Sequence, residues 1–225
     1  SAGGRSFTRV AGPALTGNWI SVAADANHDG HPDIIGANAS SVLAFLGDGS
    51  GAMNGPTVNT FGVQNEFLVM DVNHDSIPDL ATTGVGYIQV RLGTGDGLFG
   101  SPINSAGGTY RLASGDLNSD GNPDIAFGGL AYGYATGTGN GAFVSQMQTS
   151  VPFQCTATAS DVNGDGRDDL IVAIFNSSYT ETYSGVIRTY LQGPGGMLGS
   201  PVTSPGLGRV AGAILTADLD GDGNT

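Results

Sequence analysis

Asp25-Ala-Asn27-His-Asp29-Gly-His31-Pro-Asp33 places side-chain oxygens at the first, third, fifth and ninth positions of one short stretch. The pattern returns as Asp71-Val-Asn73-His-Asp75-Ser-Ile77-Pro-Asp79, Asp116-Leu-Asn118-Ser-Asp120-Gly-Asn122-Pro-Asp124 and Asp161-Val-Asn163-Gly-Asp165-Gly-Arg167-Asp-Asp169. A fifth copy, Asp218-Leu-Asp220-Gly-Asp222-Gly-Asn-Thr225, runs to the last residue. Oxygens at alternate positions of a tight loop converge on one hard cation, and Ca²⁺ takes roughly six to eight of them.

Position 7 is His31, Ile77, Asn122 and Arg167 in the four full copies, side chains with no shared chemistry. A ligand there is the main-chain carbonyl. Pro32, Pro78 and Pro123 follow it, and a proline holds the residue before it extended, which aims that carbonyl. Position 6 is glycine except for Ser76, where the chain must turn sharply. The candidate metal set is therefore Asp25, Asn27, Asp29, His31 and Asp33, with Asp71, Asn73, Asp75, Ile77 and Asp79 in the second loop. Asp116, Asn118, Asp120, Asn122 and Asp124 form the third, and Asp161, Asn163, Asp165, Arg167 and Asp169 the fourth. Asp218, Asp220 and Asp222 begin a fifth.

An EF-hand needs a bidentate Glu at position 12. Here that position is Gly36, Thr82, Phe127 or Val172, inside an apolar run that reads as a strand. Asx-rich turns without metal are the other alternative. The carboxylate count argues against it. Of 18 Asp, fifteen stand at these positions. A carboxylate pair about 4 Å apart costs roughly 1 kcal/mol in water and about 4 at an effective dielectric near 20. Three such pairs per loop call for a cation.

The formal charge of −13 would fall to −3 with five divalent ions bound. Seven Arg with no Lys argue against nucleic-acid and anionic-membrane partners, which need basic footprints. No stretch is long and apolar enough to span a membrane. Cys155, the single cysteine, cannot form an internal disulfide and reads as a buried thiol. Calcium would take the place of disulfides, and weak loops of this kind suit extracellular calcium, so the expected location is secreted or cell-surface.

The first aspartates fall at 25, 71, 116, 161 and 218, a period near 45 with several short strands per unit. Such a period points to propeller blades. Each unit reads as a strand entering the loop, a second leaving it, a third, a glycine-rich turn and a more polar fourth. The expected fold is all-β: a β-propeller of four-stranded antiparallel blades with calcium loops between first and second strands. The blades are expected at 15–62, 63–107, 108–152 and 153–207, with 1–14 as the closing strand of a preceding blade and 208–225 opening another. The loop motif, followed by a strand pair and a glycine turn ahead of Phe (Gly97-Leu-Phe99, Gly141-Ala-Phe143), resembles the FG-GAP/VCBS repeat of integrin-alpha-like propellers. The departures are Ser76 for Gly, Asp168 for Pro, and Met53 and Met197 for Phe. The fourth turn is read as Gly193-Pro-Gly-Gly, matched to Gly47, Gly93 and Gly137. The resemblance implies a calcium-binding propeller in adhesion, in lectin activity or beside a secreted enzyme.

No catalytic constellation is legible. His28, His31 and His74 all sit within the loops, and Asp48 and Asp96 read as turn residues. The chain is therefore expected to be non-catalytic, a recognition or adhesion module for a protein or glycan ligand. The alternative is a lectin-like or accessory domain of a secreted polysaccharide-active enzyme. Trp19, Tyr132 and Tyr134 are either sugar-stacking or blade-packing aromatics. The fourth unit carries about ten extra residues near 176–184, and there Tyr179, Glu181 and Tyr183 are the candidate partner contacts.

Overall fold

A computed structural model describes residues 20–63, 66–151, 154–175, 185–207 and 214–218. The expected closing strand at 1–14, Trp19, Asp220, Asp222 and the candidate contacts Tyr179, Glu181 and Tyr183 lie outside the described residues. Among the described residues there is no helix.

Four antiparallel sheets follow one another along the chain, each with its strands in sequence order. The first holds β1 (Ile20–Ala24), β2 (Asp33–Ala37), β3 (Val42–Gly47) and β4 (Met53–Asn59). The second holds β5 (Phe67–Met70), β6 (Asp79–Gly84), β7 (Tyr87–Arg91) and β8 (Ile103–Ala106). The third holds β9 (Arg111–Gly115), β10 (Asp124–Gly128), β11 (Ala131–Gly137) and β12 (Phe143–Ser150). The fourth holds β13 (Cys155–Ser160), β14 (Asp169–Ile174), β15 (Gly185–Tyr190) and β16 (Val202–Leu207). These are blades of a β-propeller. Each metal-loop sequence joins the first strand to the second.

Burial explains the strand chemistry. The second strand is the most buried of each sheet: β10 and β14 are buried along their whole length, while β2 leaves Ile34 exposed. A strand covered on both sides reads as a continuous run of small and aliphatic residues, as Asp-Leu-Ile-Val-Ala-Ile does. Successive side chains of β10 face opposite neighbours. Ile125 and Phe127 join Ala81, Ile88 and Val90 of the second sheet. Ala126 joins Cys155, Leu170 and Val172 of the fourth. A third core places Ile35, Ala37 and Val42 of the first sheet with Phe67, Leu80 and Phe99 of the second. The polar fourth strands β4 and β12 are mostly exposed.

Polar latches add to these cores. Phe99 donates its N–H to Asn59 Oδ1 at 3.0 Å, and Asn59 Nδ2 donates to the Gly97 carbonyl at 3.0 Å. Phe143 donates its N–H to Ser105 Oγ at 2.9 Å. In both cases the turn before Phe is fastened to the last strand of the preceding sheet.

The fourth turn differs from its sequence reading by one residue. Gly93 bridges Phe99 where Gln192 bridges Leu198. Gln192, not Gly193, therefore takes the place of Gly47, Gly93 and Gly137, and Leu198, not Met197, takes the place of Phe. Leu198 packs against the core between the third and fourth sheets while Met197 is 76% exposed. The run Gly193-Pro-Gly-Gly resembles the other glycine turns closely enough to hide the shift.

Candidate metal loops and an inter-sheet groove

All four full loops are built alike. The fifth-position N–H donates to Oδ1 of the first Asp and Oδ1 of the Asn: Asp29 to Asp25 and Asn27, at 3.0 and 3.2 Å. Asp75, Asp120 and Asp165 repeat the pair. Oδ2 of the first Asp accepts the sixth-position N–H, at 2.7–3.0 Å from Gly30, Ser76, Gly121 and Gly166. The seventh N–H closes on Oδ1 of the fifth-position Asp. The Asn amide donates to its other oxygen, as Asn73 Nδ2 does to Asp75 Oδ2 at 2.9 Å. Side chains 1, 3 and 5 thus gather at one point.

This winding needs two left-handed residues per loop. Position 6 takes φ of +85°, +68°, +85° and +80° at Gly30, Ser76, Gly121 and Gly166. A Cβ at Gly30 would meet nothing within 4 Å, so torsion alone favours glycine there. Position 4 is also left-handed, at His28, His74, Ser119 and Gly164. The varied side chains concealed this in the sequence, although His is one of the residues enriched in that region.

The ninth aspartates stand apart from the exposed loop. Asp33, Asp79, Asp124 and Asp169 are fully buried, and each carboxylate clamps two backbone N–H groups. Oδ2 accepts from loop position 2: Ala26, Val72, Leu117 and Val162, at 2.7–3.2 Å. Oδ1 accepts from the end of the third strand: Gly47, Gly93, Gly137 and Gln192, at 2.7–2.8 Å. A carboxylate oxygen has a second lone pair, so the clamp does not exclude ligation. Burial pushes the Asp124 carboxyl up to about 7; its two N–H donors oppose this, and the charges of Asp120 and Asp116 add to it. Burial raises Asp79 and Asp169 in the same way, helped by their loop carboxylates. The exposed members go the other way. Asp29 is lowered by the Asn27 amide and the His31 N–H, and Asp161 foremost by the Gly166 N–H.

Among the described residues, no three His, Cys, Asp or Glu form a ready-made metal group. Each loop instead mixes carboxylates with an Asn oxygen. The all-oxygen donor chemistry suits a hard divalent cation, and mutual repulsion of the carboxylates is what such an ion would relieve. The fourth loop carries its own partial answer. The Arg167 guanidinium pairs with Asp165 Oδ2, and its Nε donates to the Gln192 carbonyl at 3.1 Å. Asp48 and Asp96 are turn residues, holding Ser50 and Leu98 N–H groups. Asp218 is described, but its loop partners Asp220 and Asp222 are not.

Between the third and fourth sheets lies a groove of about 290 Å³. Tyr134, Thr136 and Gln146 line one side, Gly196–Leu198 the other, and Asn118 of the third loop joins them. Gln146 Nε2 donates to Thr136 Oγ1 at 2.9 Å. Of the two tyrosines considered from sequence, Tyr132 is a packing residue, 1% exposed, its hydroxyl 2.7 Å from that of Tyr190. Tyr134 is half-buried against the groove. Thr136 and Gln146 come from different strands with no motif between them, so no sequence signal marks them. A wider groove of about 560 Å³ lies at the starts of the first strands, with Val22, Glu66, Tyr110 and Arg111 among its lining.

The FG-GAP-like repeat family matches residues 71–127 and 161–225. Comparison with curated proteins finds no match. Among solved structures, a lectin of Agrocybe aegerita, described as recognising non-reducing terminal N-acetylglucosamine, is 20% identical with a TM-score of 0.61. The alignment covers 84% of this chain and 53% of the lectin, so the chain spans about half the lectin's length. The likeness is one of fold.

Proposed function

The chain belongs to the FG-GAP-like repeat family, and from that premise we propose that it is a calcium-stapled, non-catalytic propeller module that recognises glycans outside the cell. The observation that carries the glycan reading is the groove between the third and fourth sheets. It offers one half-buried aromatic, Tyr134, beside a hydroxyl and an amide, Thr136 and Gln146, already tied to each other. An aromatic face with adjacent polar groups is the chemistry that holds a sugar ring and orients its hydroxyls. The volume suits a single ring better than a chain. The lectin of similar fold supports the ligand class and nothing finer.

Calcium would be held by the first, third and fifth side chains of each loop, the seventh carbonyl and the ninth carboxylate. When bound it supplies charge compensation and a staple for a small glycine-rich sheet. Location at the cell surface or in the medium follows from the calcium such loops need. A protein ligand, or service beside a polysaccharide-active enzyme, remains the alternative for the whole protein.

Two measurements test this reading. Titration with a panel of monosaccharides, N-acetylglucosamine included, should show binding that Tyr134→Ala abolishes without lowering the melting temperature by more than a few degrees. Chelation should lower the melting temperature by several degrees, and calcium should restore it. Absence of any glycan binding on an array would remove the lectin reading; an unchanged melt in chelator would remove the calcium reading.

A further inference from the structure

We infer that Gln192 is a positioning residue that holds the third metal loop in shape from the neighbouring sheet, linking loops three and four as a pair. The inference rests on the calcium reading above. In the first three sheets Gly47, Gly93 and Gly137 stand at or just past the end of the third strand, and their N–H groups go to the ninth aspartates. A Cβ there would stand 2.2–2.3 Å from the carbonyls of Pro32, Pro78 and Pro123. In the fourth sheet Gln192 makes the same backbone bond, 2.8 Å to Asp169 Oδ1, yet carries a long side chain.

That side chain is 1% exposed and leaves its own sheet. Nε2 donates to the Asp116 carbonyl at 2.9 Å and to the Asp168 carbonyl at 3.3 Å. Oε1 accepts the Ser119 hydroxyl. Both amide donors and the acceptor are used, and two of the three partners belong to loop three. Asp168, standing where the other loops have proline, adds a further hold: its Oδ2 accepts the Asp116 N–H at 2.8 Å. A Cβ on Gly196 would meet the Asn118 carbonyl at 1.9 Å, so the fourth turn lies directly on loop three.

The first candidate ligand of loop three, Asp116, is therefore fixed at both its N–H and its carbonyl from the fourth sheet. Ser119, the left-handed fourth residue, is fixed through its hydroxyl. Neither glycine at 192 nor proline at 168 could do this. Loop two reaches loop three through an exposed hydrogen bond, His74 Nε2 to Asn122 Oδ1 at 3.0 Å, and the His74 ring also faces the Asp120 charge. A loop shaped in advance loses less freedom when it closes on an ion, so loop three should bind more tightly than its own residues would provide.

The test uses the full chain, calcium alone as ligand, and hydrogen exchange read by peptide. Gln192→Gly restores the residue type of the other sheets and keeps the backbone bond. In chelator, exchange across 116–122 should quicken while 25–31 is unchanged. In a calcium titration the loop-three midpoint should rise about tenfold, the size expected for losing side-chain hydrogen bonds of ordinary strength. Loop one should not move. Unchanged loop-three exchange in both conditions, or an equal shift in every loop, would overturn the inference. If calcium protects no loop in the wild-type chain, the calcium reading falls, and the chelator arm still decides the brace. If Gln192→Gly does not fold, Ser119→Ala should give a smaller shift confined to loop three, and no shift there would overturn it.

Discussion

Gly93 donates its main-chain N–H to Oδ1 of Asp79 at 2.8 Å, joining residues fourteen apart in sequence. The other oxygen of Asp79 takes the Val72 N–H at 2.9 Å. One buried carboxylate thus ties the end of the first strand to the end of the third, across the start of the second. Asp79→Asn places an amide NH₂ against one of two donors and should cost about 1–3 kcal/mol with or without calcium. Asp75→Asn, at an exposed loop position, should lower stability mainly when calcium is present. Denaturant unfolding in chelator and in calcium separates them. Equal calcium dependence for the two variants would show that Asp79 acts only as a ligand.

The shape of the four loops was legible because oxygen side chains recur in them at fixed spacing, and the blade order was legible because the loops recur. The clamp role of Asp33, Asp79, Asp124 and Asp169 was not, since an aspartate that ligates and one that holds backbone look alike in sequence. Position 4 hid its left-handed torsion behind His, Ser and Gly. The latch from Asn59 to Phe99 spans forty residues, and no local pattern announces it. Gln192 was missed through the one-residue shift of the glycine turn. The partner loop expected around Tyr179, Glu181 and Tyr183 lies outside the described residues, and the proposed glycan site rests on the groove at Tyr134.

Ser76 should gain from becoming glycine. Its φ of +68° lies in the left-handed region, where its three counterparts are glycines. The strain of an L side chain there is about 1–2 kcal/mol, partly offset by glycine's greater freedom when unfolded. Ser76→Gly should therefore stabilise the chain by about 0.5–1 kcal/mol in thermal or denaturant unfolding. A loss of stability would mean that the serine side chain makes a compensating contact.

Cys155 should be chemically silent in the folded chain. It is 1% exposed, and burial pushes its thiol up while the Gly129 N–H pulls weakly the other way. Its S–H donates to the Gly129 carbonyl at 3.2 Å. A thiol held protonated contributes stability that is complete below its unfolded pKa and is lost as pH rises through the folded one. The fold should thus weaken in the alkaline range above about pH 8.5. A thiol reagent at pH 8 should label Cys155 only at the rate of opening and fully in denaturant. Rapid native labelling would contradict the packing between the third and fourth sheets.

If the loops bind calcium as proposed, Arg167 should make the fourth the least dependent on it. Its guanidinium already sits on Asp165 Oδ2, so part of the repulsion among Asp161, Asp165 and Asp169 is offset by the chain itself. An ion entering this loop must compete with that group, whereas loops one to three present His31, Ile77 and Asn122 at the same position. The pair is partly exposed, which limits it to about 0–1 kcal/mol. Arg167→Ala should lower stability in chelator by that amount and leave it nearly unchanged in saturating calcium. It should also shift the loop-four calcium midpoint, followed by peptide-resolved exchange, to lower concentration. An equal loss of stability in both conditions would instead assign Arg167 to packing through its bond to the Gln192 carbonyl.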